Sequence, residues 1–456
     1  MAERTGAGVV ACVDFGSTFT KAALVEVHTG TLLATATHRT TIDTDVLDGW
    51  EACRAVLAGT DARAADAEVL ACSSAGGGLR IAVVGNEELV TAEAGRRVAL
   101  SSGGRVVHVA SGALDQGRLA ALRSDEPDVV LLVGGTDGGN AEVLLACAGA
   151  LAAARWPGPV VVAGNVEAQS EVAALLEEAS TPYVLADNVV PRIGVLAPDA
   201  ARAAIREMFL RHVIGGKHLS GRADFTAMVQ GATPDVVLTA VELLAREAGD
   251  VVVVDVGGAT TDVHSVIEPD PEDAGLSREV VATLPVSRTV EGDLGMRWSA
   301  VSTVAEGVAT GLLPDSGELR AAALLRRDHP DLLPGDEQQR RHDETLAVTA
   351  VGVAMRRHAG RRQIEYDEGA RVVRRTGRDL REVDVLVGSG GVLRTASSAT
   401  AVRVLASVTG TDVPGAWQLP RAPRLVVDRD YLLAPAGLLA GPYPAAACAL
   451  VRRLLG

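Results

Sequence analysis

Residues 9–21 read VVACVDFGSTFTK and residues 251–262 read VVVVDVGGATTD. Each is an apolar strand that ends in Asp-x-Gly, passes through small and hydroxylated residues, and enters a second strand. Setting Asp14 against Asp255 pairs Gly16 with Gly257, so the same β-meander opens each half of the chain. A buried strand ending in aspartate delivers a carboxylate to the floor of a cleft, where it can meet Mg2+ directly or through water. The glycines that follow let the backbone bend tightly and turn its N–H groups toward an anion. Ser17, Thr18 and Thr20 in the first copy, and Thr260 and Thr261 in the second, offer hydroxyls to phosphate oxygens. Two such turns facing each other would clamp a polyphosphate, and phosphoryl transfer needs mainly positioning and charge neutralisation. One Asp-x-Gly alone reads as a hairpin turn. Two of them, joined by a third glycine turn at 388–391, read as a site.

Outward from these stretches the chain divides. The first copy continues as a meander through strands at 22–27 and 31–37. Helices are expected near 46–58 and 86–99, with strands near 67–73 and 80–84. From 127 the pattern alternates: PDVVLLVGG is a strand, 141–154 a helix, 159–164 a strand, 167–179 a helix and YVLAD a short strand. That βαβαβ run implies a parallel sheet covered by helices. Its turn, Gly134-Gly135-Thr136-Asp137 with Gly138-Gly139-Asn140, caps a strand and opens a helix, so its N–H groups could take an anion. It lacks the spacing of a dinucleotide fingerprint or a P-loop. The expected organisation is a first lobe at 1–126, an inserted α/β segment at 127–190, a helical connection at 191–248 and a second lobe at 249–456. The second lobe carries a surface helical segment at 310–345, with helices near 293–309, 345–360 and 436–455.

The chain has 456 residues, is 48% hydrophobic and 22% charged, and carries a net charge of −15. That balance excludes a general nucleic-acid binder, which needs a basic surface, and a binder of anionic membranes. No apolar run reaches the ~18 residues of a membrane span, and no secretory segment is evident. Five cysteines, scattered and without a CxxC pair, read as buried thiols of a cytoplasmic protein. Only two lysines occur, Lys21 and Lys217. Lys21 follows the first Asp-x-Gly turn, whereas Lys217 has no such context and reads as a surface residue.

Taken in order, these motifs resemble the actin, sugar-kinase and heat-shock-protein ATPase superfamily. Asp14 to Lys21 is similar to its first phosphate motif, in the actin form where the lysine reaches the nucleotide phosphates. Asp255-Val256-Gly257-Gly258-Ala259-Thr260-Thr261-Asp262 is similar to the second, with Ala259 where chaperone members carry a third glycine. Gly388-Ser389-Gly390-Gly391 resembles the adenosine motif, and Asp428-Arg429-Asp430 with the small residues at 434–440 resembles the helix that returns to the cleft. The resemblance implies an α/β, two-lobed actin-like fold built from duplicated ribonuclease H-like domains, with the βαβαβ segment as an addition. It also implies ATP or ADP with Mg2+ as ligands. Asp14, Asp255 and Lys21 would be the catalytic groups, the two aspartates would serve the metal, and residues 134–137 would lie near the last phosphate or at a client surface.

LLVGGTDGGN (131–140), VVVAGN (160–165) and VEGDLGMR (290–297) narrow the resemblance. They are similar to the accessory proteins of glutamate mutase, the MutL or GlmL family, which is unrelated to the mismatch-repair protein of that name. The family implies an ATP-dependent reactivating factor whose partner is an adenosylcobalamin-dependent mutase. A small-metabolite kinase and an actin-like ATPase scaffold are the alternatives, because a fold alone does not decide function.

Overall fold

The computed structural model describes residues 8–216, 219–268, 285–367, 370–411 and 415–456; Lys217 lies outside these residues. The first lobe begins with β1 (Val9–Phe15), β2 (Phe19–Glu26), β3 (Thr31–Arg39) and β4 (Glu68–Ser73). The first three form the expected antiparallel meander, and β4 lies parallel to β1. The chain then builds a separate, wholly parallel sheet. Its strands are β5 (Leu79–Gly85), β6 (Gly104–Ser111), β7 (Val129–Leu132), β8 (Val160–Val162) and β9 (Tyr183–Leu185), in the order β6-β5-β7-β8-β9. β10 (Val229–Ala232) returns to the first sheet beside β4.

The second lobe repeats the plan with β11 (Val251–Val256), β12 (Thr261–Val266) and β13 (Val286–Glu291) as its meander. A hairpin of β14 (Arg361–Asp367) and β15 (Ala370–Thr376) intervenes before β16 (Val385–Ser389) and β17 (Arg424–Val427). The two large sheets read β3-β2-β1-β4-β10 and β13-β12-β11-β16-β17, one topology used twice. Three antiparallel strands and two parallel ones, in duplicate, make this the actin-like, two-lobed α/β fold.

Several boundaries differ from the expectations. The parallel sheet takes in Leu79–Gly85 and Gly104–Ser111, well before residue 127, because β5 is a largely buried central strand that needs neighbours on both edges. Residues 191–248 are not helical throughout, since they supply β10. The helix expected from 293 starts at Ala300, and the C-terminal one is split into Leu433–Leu439 and Pro444–Leu455. Pro442 and Pro444 fall at that break, where proline cannot continue a preceding helix. Residues 310–345 do carry helices, yet they also bury Arg326 against Asp343 at 2.6 Å.

What positions the site is the alternation of β1 and β11. Val10 and Cys12 share a face of β1 with Asp14, and Val251 and Val253 share a face of β11 with Asp255. These apolar residues of both lobes enter a single core with the Thr233–Ala248 and Leu433–Leu439 helices, which carry the chain from one lobe to the other and back. The two crossing helices touch through backbone. A β-carbon at Gly437 would stand 2.0 Å from the Val236 carbonyl oxygen. Gly437→Ala is therefore expected to cost about 1–3 kcal/mol by forcing the crossing apart, read as a lower urea midpoint at an unchanged slope.

Candidate functional site

The two Asp-x-Gly turns close in the same way. Gly16 N–H donates to the Phe19 carbonyl at 3.2 Å, and Gly257 N–H donates to that of Thr260 at 2.9 Å. Strand register then fixes the neighbours of each carboxylate. Asp14 lies opposite Lys21 on β2 and Cys72 on β4, while Asp255 lies opposite Asp262 on β12 and Ser389 on β16. The repeat thus preserves geometry while exchanging a lysine for an aspartate.

The turns meet across the lobe interface. A β-carbon on Gly258 would lie 2.9 Å from Thr18 Oγ1, so the second turn sits directly on the first. Thr18 Oγ1 is buried without a hydrogen-bond partner, as is Thr261 Oγ1. Ser17 is exposed beside them, and Thr260 Oγ1 donates to Asp262 at 3.3 Å. Thr20 is a correction to the phosphate-facing set. One residue from Lys21 on a strand, it points to the opposite face, fully buried with its hydroxyl 3.3 Å from that of Thr40. Thr261 occupies the matching place in the second copy and is equally buried.

The third glycine turn packs onto the second. Gly390, at φ +100°, would drive a β-carbon to 2.2 Å from the Val256 carbonyl oxygen, while the space around Gly391 is open. Gly388 and Ser389 end the strand beside Asp255. Beyond Gly391 a cavity of about 290 Å3 lies between the Glu337–His358 helix and the segment from Val392 to Val404. VEGDLGMR braces the second turn from behind. Met296 and Arg297 N–H donate to the carbonyls of Gly257 and Gly258, and Ser299 Oγ donates to that of Ala259 at 2.6 Å.

Residues 134–137 are placed elsewhere. Their contacts are with Asn86, Asn140, Asn165, Val166, Asn188 and Pro191 at the C-terminal ends of the parallel strands. Asp137 accepts from Asn188 Nδ2 at 2.8 Å, so the loop is tied down by its own neighbours and joins neither hairpin in these contacts. Two residues at the site escaped the sequence reading. Thr233 Oγ1 donates to Asp14 Oδ1 at 2.6 Å, and Tyr431 OH donates to Asp14 Oδ2 at 2.5 Å. Tyr431 directly follows the Asp428-Arg429-Asp430 run, which is the one signal that could have found it.

The electrostatics are lopsided. Asp14 also pairs with Lys21 Nζ at 3.5 Å and accepts from the Cys72 thiol at 3.6 Å. Asp255 has no hydrogen-bond or ion-pair partner among the described residues. Asp255 is partly exposed, yet the desolvation of its setting pushes its carboxyl up to about 6, against the pull of Lys21, with Asp262, Asp14 and Asp428 adding to the rise. Burial likewise raises Asp428 to about 6, although the N–H groups of Leu432 and Leu433 bond it at the start of the returning helix. Among the described residues no group of three or more His, Cys, Asp or Glu is placed to hold a metal ion.

A carboxyl whose pKa is higher in the folded than in the unfolded chain supports the fold at low pH. That support is lost as pH rises through about 6. Asp255→Asn is therefore expected to stabilise the nucleotide-free protein by about 1–3 kcal/mol at pH 7.5, with the gain vanishing toward pH 4. Urea unfolding at the two pH values checks this; equal effects at both would show that Asp255 is not the strained group.

Residues 10–455 match the MutL protein family. Over 458 residues the chain is 34% identical to Protein MutL of Clostridium tetanomorphum, covering 97% of this chain and 98% of that one. Fainter likenesses occur among solved structures. The activator of the 2-hydroxyisocaproyl-CoA dehydratase from Clostridium difficile, with bound ADPNP, aligns over 98% of this chain and 96% of its own at 9% identity and a TM-score of 0.30. Ethanolamine utilization protein EutJ from Carboxydothermus hydrogenoformans covers 99% and 92% at 11% identity and a TM-score of 0.26. These two are too distant to bear on function. The family match and the curated relative, in contrast, run almost the whole length, and the chain belongs to the MutL protein family.

Proposed function

We propose that this protein is an ATP-dependent accessory factor that reactivates an adenosylcobalamin-dependent mutase, of the glutamate mutase or aminomutase type, by lobe movement that promotes exchange of damaged cobalamin. The observation that carries the reading is the meeting of the two hairpins, with Lys21 and the unpaired Asp255 between them. In this reading the phosphates of ATP lie between residues 16–18 and 257–260. The partnerless Thr18 hydroxyl and the turn N–H groups would receive their oxygens. Lys21 would neutralise phosphate charge, and the base would lie along Gly390-Gly391 toward the cavity beside Val392. Mg2+, when bound, supplies further charge neutralisation, and Asp255 would hold it with water, since Asp14 is already engaged.

With Gly258 lying this close to Thr18, phosphates entering between the two turns would push them apart. Nucleotide entry and lobe opening are then one event, pivoting on the helices whose core both sheets share. A partner enzyme held by both lobes would feel that movement as strain, which is how hydrolysis would be spent on cofactor release.

Titration calorimetry is expected to show Mg·ATP binding, and Asp255→Ala is expected to lower hydrolysis about 100-fold or more in a protein that remains folded. No affinity at millimolar ATP would remove the nucleotide site, and wild-type turnover would remove Asp255 from the mechanism. The client role is tested with a mutase inactivated during turnover. Activity is expected to return with this protein, ATP and fresh adenosylcobalamin, and not with a non-hydrolysable analogue. Failure to rescue, together with rapid phosphorylation of a metabolite, would favour the kinase.

A further inference from the structure

We infer that Tyr431 and Thr233 form a clamp on Asp14 that locks the hinge in the nucleotide-free protein and competes with Mg·nucleotide for the site, an inference resting on the nucleotide reading above. A carboxylate offers about four lone-pair positions. Those of Asp14 face Thr233 Oγ1 and the Cys72 thiol on one oxygen, and Tyr431 OH and Lys21 Nζ on the other. Its counterpart Asp255, at the same place in the repeat, has none of this. The difference comes from where the donors sit in the chain. Thr233 is the first residue of the helix that leaves the first lobe, and Tyr431 stands two residues before the helix that returns to it. One carboxylate therefore fastens both crossings.

Tyr431 is shaped for that position. It is a non-glycine residue at φ +57°, a left-handed conformation that bulky residues rarely adopt, and it is buried. Lys21 Nζ lies 4.1 Å from the centre of its ring and Arg394 5.9 Å. Lys21, the group assigned to the phosphates, is thus spent on Asp14 and on the tyrosine ring. For Lys21 to turn to a nucleotide, the cluster must give up its cation. For Asp14 to approach a hydrated metal, the Tyr431 hydroxyl must withdraw. Either move loosens the two crossing helices. Linkage makes the effect reciprocal: weakening the clamp must tighten nucleotide binding.

Tyr431→Phe keeps the ring beneath Lys21 and removes only the hydroxyl; Thr233→Val is a second, independent cut. Mg·ADP affinity is measured by calorimetry, and melting with and without saturating Mg·ADP. Each variant is expected to bind Mg·ADP about threefold to tenfold more tightly than wild type. Without nucleotide each should melt below wild type, and with it the melting points should converge. Unchanged or weaker binding in both variants, or an equal loss of melting temperature with and without Mg·ADP, overturns the clamp. A wild-type protein that Mg·ADP neither binds nor stabilises overturns the nucleotide reading and the clamp together. Intact wild-type binding with no change in the variants overturns the clamp alone.

Discussion

A carboxylate at the end of a buried strand has lost much of its hydration, and the surrounding chain must either restore that with donors or leave the group strained. This protein does both, once in each lobe. Asp14 is met by Thr233, Tyr431, Cys72 and Lys21, whereas Asp255 meets another aspartate across the strand pair and has its carboxyl raised to about 6, chiefly by burial. Since β1 and β11 hold equivalent places in their sheets, the imbalance is written into the neighbours and not into the backbone. One acid is thus held by four donors at the crossing helices, while the other, partly exposed, has no donor among the described residues.

The repeated strand–Asp-x-Gly–strand pattern made the two lobes legible, because period-2 burial and turn glycines are local properties of the chain. The carboxylates were legible for the same reason. The hydroxyl of Thr20 is illegible from composition alone, because strand parity one residue from Lys21 turns it to the opposite face. The loop at 134–140 has the composition of an anion cradle, yet its neighbours are Asn165 and Asn188, brought together only when the parallel sheet is assembled. Thr233 and Tyr431 carried no local sign of their roles. They reach Asp14 over more than two hundred residues of intervening chain, through the packing of two helices that no short window can register.

A buried side chain links the parallel sheet to the site. Arg288 on β13 donates to Asp262 at 3.0 Å and, from its other terminal nitrogen, to the carbonyls of Leu100, in the Glu93–Ser101 helix, and of Gly104, the first residue of β6. Asp262 is the cross-strand partner of Asp255. A buried guanidinium cannot shed its charge and pays heavily if a partner is lost, so it holds both ends together. The second hairpin and the parallel sheet are thereby made to move as neighbours. Among the described residues β6 and β13 are edge strands of their sheets, and a groove of about 480 Å3 lies between them, lined by Arg105 and His108 on one wall and by Val290 and Asp293 on the other.

This arrangement separates two kinds of motion. In the proposed cycle, displacing the second hairpin along the Arg288 link would carry the parallel sheet with it, whereas releasing Asp14 would free the crossing helices. The first is resisted by a buried ion pair and the second by two hydroxyl hydrogen bonds, each worth less than a buried charge pair costs to break. In the proposed cycle the Asp14 bonds would accordingly give way first. The close backbone approach of Gly437 to Val236 would put the pivot of such a movement where the two helices cross.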